Sequence, residues 1–395
     1  MNPPKLILPI IIISQFCCTS LWFAGNGVMS ELIASFHLKS SALGHLTSAV
    51  QFGFILGTLI FAILTIADRF SPSKVFFTSA LLGCLFNIGI IWEENSLASI
   101  LLLRFGTGFF LAGIYPVGMK IAADYFEKGL GKSLGFLVGA LVLGTAFPHL
   151  AKEISEAYSW KSVLILTSSL AVLGGLLMLL IVPNGPYRKP GNQLNISAFF
   201  DVFRNRKFRS AAFGYFGHMW ELYAFWAFVP ILLKTYNLEH PEIRFNIPLL
   251  SFIIIGVGGL SCVLGGYLAQ TAGAKPIARM ALILSCGCCL VSPLAFMTDS
   301  KSLFIGFLIF WGMVVIADSP LFSTLVAQNA RAEIKGTALT IVNCIGFSTT
   351  IISIQLLNLL QESINSTYIY TILALGPILG LVALYEKKNK THHFG

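Results

Sequence analysis

Three charged residues stand inside stretches that are otherwise apolar over the length of a membrane crossing: Arg104, Glu221 and Asp318. A charge at bilayer depth costs about 2.5–3.5 kcal/mol on insertion scales, so such residues face an interior cavity or one another. His218 and Glu221 are spaced i, i+3 and share a helical face that Phe225 and Phe228 extend. An imidazole and a carboxyl on one face can take up and release a proton as a cavity opens. A static polar pair bonded to neighbouring helices is the alternative. Asp318 lies in the run Trp311-Gly-Met-Val-Val-Ile-Ala-Asp-Ser-Pro320, where Pro320 removes a backbone donor and loosens the preceding turn. A carboxylate beside a broken helix suits a proton or a cation, or else bridges to another helix; Trp311 shares its face. Arg104 cannot shed its charge, so it calls for a carboxylate, backbone carbonyls or an anionic substrate. Its face continues through Gly108, Leu111 and Tyr115. On the first apolar run Gln15, Thr19, Trp22 and Asn26 recur at helical spacing, which fits a cavity wall or interhelical hydrogen bonding. The candidate proton carriers are therefore Glu221, His218 and Asp318. The candidate substrate contacts are Arg104, Tyr115, Trp22, Asn26, Phe225 and Trp311.

The elements that must position these residues follow from composition. Of 395 residues 56% are apolar, and 26 basic plus 17 acidic side chains are less than half the charge of a soluble chain this long. Mean hydropathy is +0.80. No water-soluble fold hides that much apolar surface, which excludes a soluble enzyme, a nucleic-acid binder and a disordered protein. Nine intervals between charged residues reach spanning length, and three more do so around Arg104, Glu221 and Asp318, giving twelve helices. Alternating ten-residue segments, the sign of a β-barrel, are absent from the pattern. Nineteen Lys and Arg fall in loops on the side of the N-terminus and six on the other side. That bias places both termini in the cytoplasm and accounts for the net charge of +9 without a nucleic-acid partner.

The eight cysteines all fall within spans, and Cys286-Gly-Cys-Cys289 has no accompanying His. One apolar helix cannot surround a metal, so these read as packing residues, with no metal site and no disulfide framework. The run Leu6 to Met29 is too long for a cleaved signal peptide. Gly53-x-x-x-Gly57 and Gly135-x-x-x-Gly139 read as close helix packing, while Tyr115-Pro116 and Gly346 mark expected bends.

Six spans precede the Pro-, Gly- and charge-rich stretch that begins at Pro183, and six follow it. This divides the chain into an N-terminal six-helix bundle (1–182), a cytoplasmic linker (183–208) and a C-terminal six-helix bundle (209–395). Within the linker and just beyond it, Asp201 to Arg209, with Ile196, Ala198, Phe199, Phe200, Val202 and Phe203, reads as a basic, partly amphipathic surface segment. Ile66-Ala-Asp-Arg-Phe-Ser-Pro-Ser-Lys74 after the second span and Gly266-Tyr-Leu-Ala-Gln-Thr-Ala-Gly-Ala-Lys275 after the eighth are weakly alike.

On these residues the chain resembles the major facilitator superfamily, the twelve-helix bacterial type. Ala67-Asp68-Arg69 with Lys74, and Gly266, Leu268, Ala269, Gly273 and Lys275, echo the loop motif Gly-x-Leu-Ala-Asp-Arg-x-Gly-Arg-Lys. Arg104-Phe-Gly-Thr-Gly108 looks like the family's fourth-helix motif. Gly135, Gly139 and Gly144 are similar to its antiporter motif, except that Ala140 stands where proline is expected. The resemblance implies an all-α membrane fold of two pseudo-symmetric bundles, with Asp68, Arg69, Lys74 and Lys275 in gating loops. It also implies that spans one, four, seven and ten line a central cavity. The expected function is secondary active transport of a small organic solute by alternating access, coupled to protons as a symport. Arg104 favours a carboxylate-bearing solute such as an organic acid or a carboxylate siderophore; proton-driven efflux of an amphipathic compound is the alternative. Partners are the solute, protons and the bilayer of a bacterial inner membrane. No cofactor, no enzyme activity and a monomer are expected.

Overall fold

The computed structural model describes residues 6–126, 130–155, 157–188, 203–331, 334–364 and 367–385. The described residues form helices and turns, with no strand among them. In chain order the helices are α1 (Ile7–Thr19), α2 (Ala24–Gly27), α3 (Met29–Ser35), α4 (Ala42–Ile63), α5 (Ile66–Arg69), α6 (Pro72–Ile88), α7 (Leu97–Leu111), α8 (Tyr115–Tyr125), α9 (Leu130–Ile154) and α10 (Lys161–Ile181). After the central stretch come α11 (Arg206–Glu239), α12 (Ile247–Gly256), α13 (Gly258–Ala272), α14 (Ala274–Phe296), α15 (Lys301–Val314), α16 (Ser319–Asn329), α17 (Lys335–Ser363) and α18 (Leu375–Leu384). Short 3-10 turns extend α6 and precede α18.

Eleven of the described helical segments are long and apolar enough to cross a membrane. The first apolar run is the exception, because it unwinds between Thr19 and Ala24 and again at Val28, leaving only Ile7–Thr19 as an apolar helix. Two other segments are interrupted in a matched way. α7 stops before Ala112–Ile114 and α8 restarts on Tyr115-Pro116; α15 stops before Val315–Asp318 and α16 restarts on Ser319-Pro320. Proline is tolerated in a first helical turn, where its missing donor has no helical partner to lose. Gly346, expected to bend its helix, lies inside the uninterrupted α17. Its missing side chain instead makes room for the rings and chain of Tyr215 and Met219.

Among the candidate spans α11 is the most enclosed, with 78% of its apolar window buried, and α9 follows at 72%, against 39% for α10. α10 is therefore the most exposed of these helices. Glycines set the closest approaches. Gly53 and Gly57 of α4 lie on the Phe105 and Phe109 carbonyls of α7, and Gly139 of α9 lies on Gly259 of α13.

At the end of the bundle where α1 begins, the short α5 follows Thr65 in the left-handed region at φ 49°. Lys120 binds Asp68 at 2.9 Å and Asp124 at 3.8 Å. Arg69 Nε donates to Thr65 Oγ1 at 3.1 Å. Lys74 is exposed in the first turn of α6, and Lys275 is half-buried in the first turn of α14. The stretch 182–188, read from sequence mostly as linker, is tied down: Arg188 donates to the carbonyls of Asp68 and Phe70 at 2.8 Å each, and Tyr125 donates to the Pro183 carbonyl at 2.7 Å. Most of the expected amphipathic segment, including Ile196, Ala198, Phe199, Phe200 and Val202, lies outside the described residues. The seventh long helix starts at Arg206, capped by the Asn205 side chain, inside the stretch assigned to the linker.

Candidate functional site

The enclosed α11 carries the site. Its Gly214 and Gly217 let it sit close to Phe322 and to Gly376, so its polar side chains have no water to reach. His218 Nδ1 stands 2.7 Å from Oδ1 of Asp318, and each side chain is 1% exposed. Asp318 occupies the interruption between α15 and α16, where the helix has released its regular bonding. The contact is an ion pair whenever the imidazole is protonated. Asp318 Oδ2 and His218 Nε2 find no hydrogen-bond partner among the described residues. The rings of Tyr215 and Phe322 flank the imidazole at 6.0 and 6.1 Å.

Glu221, one turn further along, points elsewhere. Its Oε1 accepts from Trp311 Nε1 at 2.6 Å and from Cys289 Sγ at 3.3 Å. Ser285 lies against the same carboxyl with its hydroxyl directed to the Leu282 carbonyl at 3.3 Å. Phe225 packs against Trp311 with the rings tilted, their centroids 4.5 Å apart. The shared helical face of His218 and Glu221 thus divides between two partners, Asp318 for the first and Trp311 for the second. Asp318 remains close enough to Glu221 for the two carboxyls to interact electrostatically.

Arg104 is 1% exposed and belongs to a different arrangement. Its Nη1 donates to the Leu21 carbonyl at 3.2 Å and to Asn87 Oδ1 at 3.3 Å, and its Nη2 donates to the Trp22 carbonyl. Leu21 and Trp22 lie where the first segment unwinds between α1 and α2; the Leu21 carbonyl keeps only a turn bond from the Ala24 N–H at 3.4 Å, and the Trp22 carbonyl has no backbone donor among the described residues. A guanidinium satisfies two such acceptors in a place where water cannot. Among the described residues no carboxylate pairs with it.

The polar stripe of the first segment is split by that same unwinding. Thr19 donates back to the Gln15 carbonyl at 2.8 Å, and Asn26 donates to Thr47 Oγ1 of α4 at 2.9 Å. Trp22 stacks on Tyr223 and Phe347 at 5.8 and 5.7 Å and tilts onto Phe54 at 4.8 Å. Tyr223 also meets Trp226 edge-on at 5.2 Å. The indole nitrogens of Trp22 and Trp226 are buried with no acceptor among the described residues. Tyr115 opens α8 and is partly buried against the core. Tyr215 donates its hydroxyl to Asn343 of α17 at 2.7 Å.

Sequence reading passed over several of these groups. Asn87, Tyr215 and Asn343 carry no charge and look like ordinary span residues until their partners are known, and Cys289, read from sequence as a packing residue, donates to Glu221. His149 is a different omission: it is buried in α9 with Nε2 unpartnered, and a search of the spans for imidazoles as well as carboxylates would have found it. Among the described residues no group of His, Cys, Asp and Glu could hold a metal.

The Major Facilitator Superfamily model matches residues 11–354. Two relatives are named efflux pumps: Efflux pump FUBT of Fusarium oxysporum is 28% identical over 156 residues, and Efflux pump FUB11 of Gibberella moniliformis (strain M3125 / FGSC 7600) is 26% identical over 156 residues. Each alignment covers 38% of this chain and 26% of the relative, so the chain matches about a quarter of the length of these relatives.

Proposed function

The chain belongs to the Major Facilitator Superfamily, a family of membrane transporters, and on that premise we propose that it moves a small organic solute by alternating access, coupled to protons at the His218–Asp318 pair. One observation carries the proposal: a buried imidazole and a buried carboxylate from two different helices stand 2.7 Å apart at a helix interruption. Removing two such groups from water is costly and is offset only by their pairing, and a proton gained or lost by the pair changes the net charge of the site by one. Glu221 is a second carrier, held by Trp311 and Cys289 one turn away.

The broken first segment counts as a twelfth span in this reading. Its two six-helix bundles, 1–182 and 209–395, rock about the centre, and both termini lie in the cytoplasm. The paired interruptions at Tyr115-Pro116 and Ser319-Pro320 support two similar halves, since both pairs are separated by the same 204 positions. The stretch at Asp68, with its Lys120 and Arg188 contacts, forms part of the gate.

The carboxylate-bearing solute expected from Arg104 has little support in that residue's surroundings, because the guanidinium serves the Leu21 and Trp22 carbonyls. Efflux of an amphipathic compound is favoured by the aromatic group around Tyr223 and by the likeness to two named efflux pumps. Reconstituted vesicles of known orientation test the proposal. An imposed pH gradient should drive solute movement in the wild type, and Asp318→Asn should remove the dependence on the gradient. Movement indifferent to the gradient would count against proton coupling.

A further inference from the structure

The unwound stretch of the first segment is fastened by two helices, and one side chain joins the fastenings. Arg104 of α7 reaches it with donors to the Leu21 and Trp22 carbonyls, its Nε passing close to Gly25. α10 reaches it at Cys18 Sγ, which donates to the Ala171 carbonyl at 3.3 Å, and at Ser20 Oγ, which donates to the Thr167 carbonyl at 3.4 Å. Asn87, near the end of α6, is fully buried and bonds to both helices. Its Oδ1 accepts from Arg104 Nη1 at 3.3 Å. Its Nδ2 donates to Ser168 Oγ at 3.0 Å, Thr167 Oγ1 at 3.3 Å and the Leu164 carbonyl at 3.4 Å. The amide has one usable orientation, because a flip would set its N–H groups against a guanidinium that can only donate. From the same unwound stretch the Trp22 ring reaches Tyr223 of α11 at 5.8 Å and Phe347 of α17 at 5.7 Å. Phe54 of α4 joins them, 4.8 Å from Trp22 and 4.5 Å from Phe347.

We infer that Asn87 is a positioning residue: it fixes the plane of the Arg104 guanidinium and, through the Trp22 carbonyl, holds the Trp22 ring as a wedge against Tyr223 and Phe347. The inference rests on the two-bundle transporter reading and names the part of the first bundle that grips the second. The links run from α10 through Asn87, Arg104 and the Trp22 backbone to α11 and α17, and each is a hydrogen bond or a ring contact. At the end of a flexible stem, a guanidinium held only by two carbonyls of one unwound turn can follow that turn. The bond to Asn87 ties it to α6 and α10 instead. Truncating a buried amide that is bonded through both its oxygen and its nitrogen breaks every one of these bonds, and the Arg104 donor left over has no water to turn to. Rocking of the bundles must draw the Trp22 ring away from Tyr223 and Phe347, so a wedge no longer held lowers the resistance to that movement.

Fluorine NMR of the full-length protein in detergent, labelled with 5-fluorotryptophan, reads the wedge directly. The chain has six tryptophans, and Trp22→Phe identifies the Trp22 signal by its absence. Asn87→Leu, which keeps the volume and loses the amide, should shift that signal by more than its linewidth. Asn87→Asp, which still accepts from Arg104, should shift it less. Thr167→Val combined with Ser168→Ala removes two acceptors on α10, leaves Arg104 and Trp22 as they are, and should also shift the signal. This double variant decides the matter where Asn87→Leu does not fold. Met178→Ala opens a cavity elsewhere in the buried face of α10, so it should lower the melting midpoint and leave the Trp22 signal in place. A Trp22 signal unmoved by Asn87→Leu and by the double variant overturns the inference. An equal shift in Met178→Ala also overturns it, since Asn87 would then serve stability alone. Phe347→Leu should shift the Trp22 signal through the lost ring, and no shift overturns the wedge between the bundles. These signals are read without transport, so their failure is separate from failure of the transport reading.

Discussion

Gly108 and Gly312 occupy equivalent places in segments 204 residues apart. Each lies eight residues before the proline that restarts its segment, and each sets its Cα against a backbone carbonyl, that of Val50 for Gly108 and that of Ile254 for Gly312. A Cβ at either position would collide with backbone, which cannot swing aside as a side-chain tip can. Gly108→Ala and Gly312→Ala should each destabilise the protein by about 1–3 kcal/mol, the usual cost of overpacking. Thermal melting in detergent measures this; an unchanged midpoint for both would mean that the helices separate freely at these points.

Arg104 should behave as the clasp of the unwound first segment. Arg104→Lys keeps the charge but replaces a planar fork with a point donor that cannot reach both carbonyls and Asn87 together. The expected loss is about 1.5–3 kcal/mol for each abandoned charged hydrogen bond, seen as a lower melting midpoint together with reduced transport. Full stability and transport in Arg104→Lys would argue that the carbonyls of Leu21 and Trp22 find other donors.

The His218–Asp318 pair predicts a non-additive result. Removing one member leaves the other buried and unmatched, a change that costs about 3–5 kcal/mol for a buried pair. Replacing both, as in His218→Gln with Asp318→Asn, leaves neutral groups and should be less damaging to stability than either single change. Gradient-driven transport should be lost in all three. A double variant whose destabilisation equals the sum of the singles would show that the two residues act independently.

Helices α4 and α17 are laced together toward the end of the bundle opposite the start of α1. Gln355 donates to the Gly44 carbonyl at 3.0 Å and to Ser48 Oγ at 2.8 Å, and Asn358 donates to the Ser41 carbonyl at 3.3 Å. Asn246 of the turn before α12 donates to Glu153 of α9 at 2.6 Å on the same side. These bonds tie α4 to α17 and α9 to the turn before α12. Gln355→Leu should loosen the first tie, so that a cysteine placed at Ser48 reacts faster with a membrane-impermeant maleimide than in the unaltered background. Equal reaction rates would mean that other contacts hold α4 to α17.

Much of this protein is legible one residue at a time. Twelve apolar runs, the excess of Lys and Arg on one side, and the interruptions at Tyr115-Pro116 and Asp318-Ser-Pro320 all rest on local chemistry: hydropathy, loop charge and a missing backbone donor. The first segment shows the limit of that reading. Its hydropathy is continuous through Ser20–Phe23, yet the helix unwinds there, because Arg104, 80 positions and more away in sequence, supplies the donors that make unwinding tolerable. Gly346 errs in the other direction: a glycine that could bend a helix is retained for the space it leaves to Tyr215.

The sequence alone determined which residues are too costly to bury without a use: Arg104, Glu221, Asp318 and His218. It could not determine their partners. Spacing of i, i+3 joined His218 to Glu221, whereas packing of α11 against α14, α15 and the interruption before α16 gave His218 to Asp318 and Glu221 to Trp311 and Cys289. The physical reason is that burial cost belongs to a single side chain and its neighbours along the chain. A pairing depends on which helix faces which, and only the packed bundle decides that.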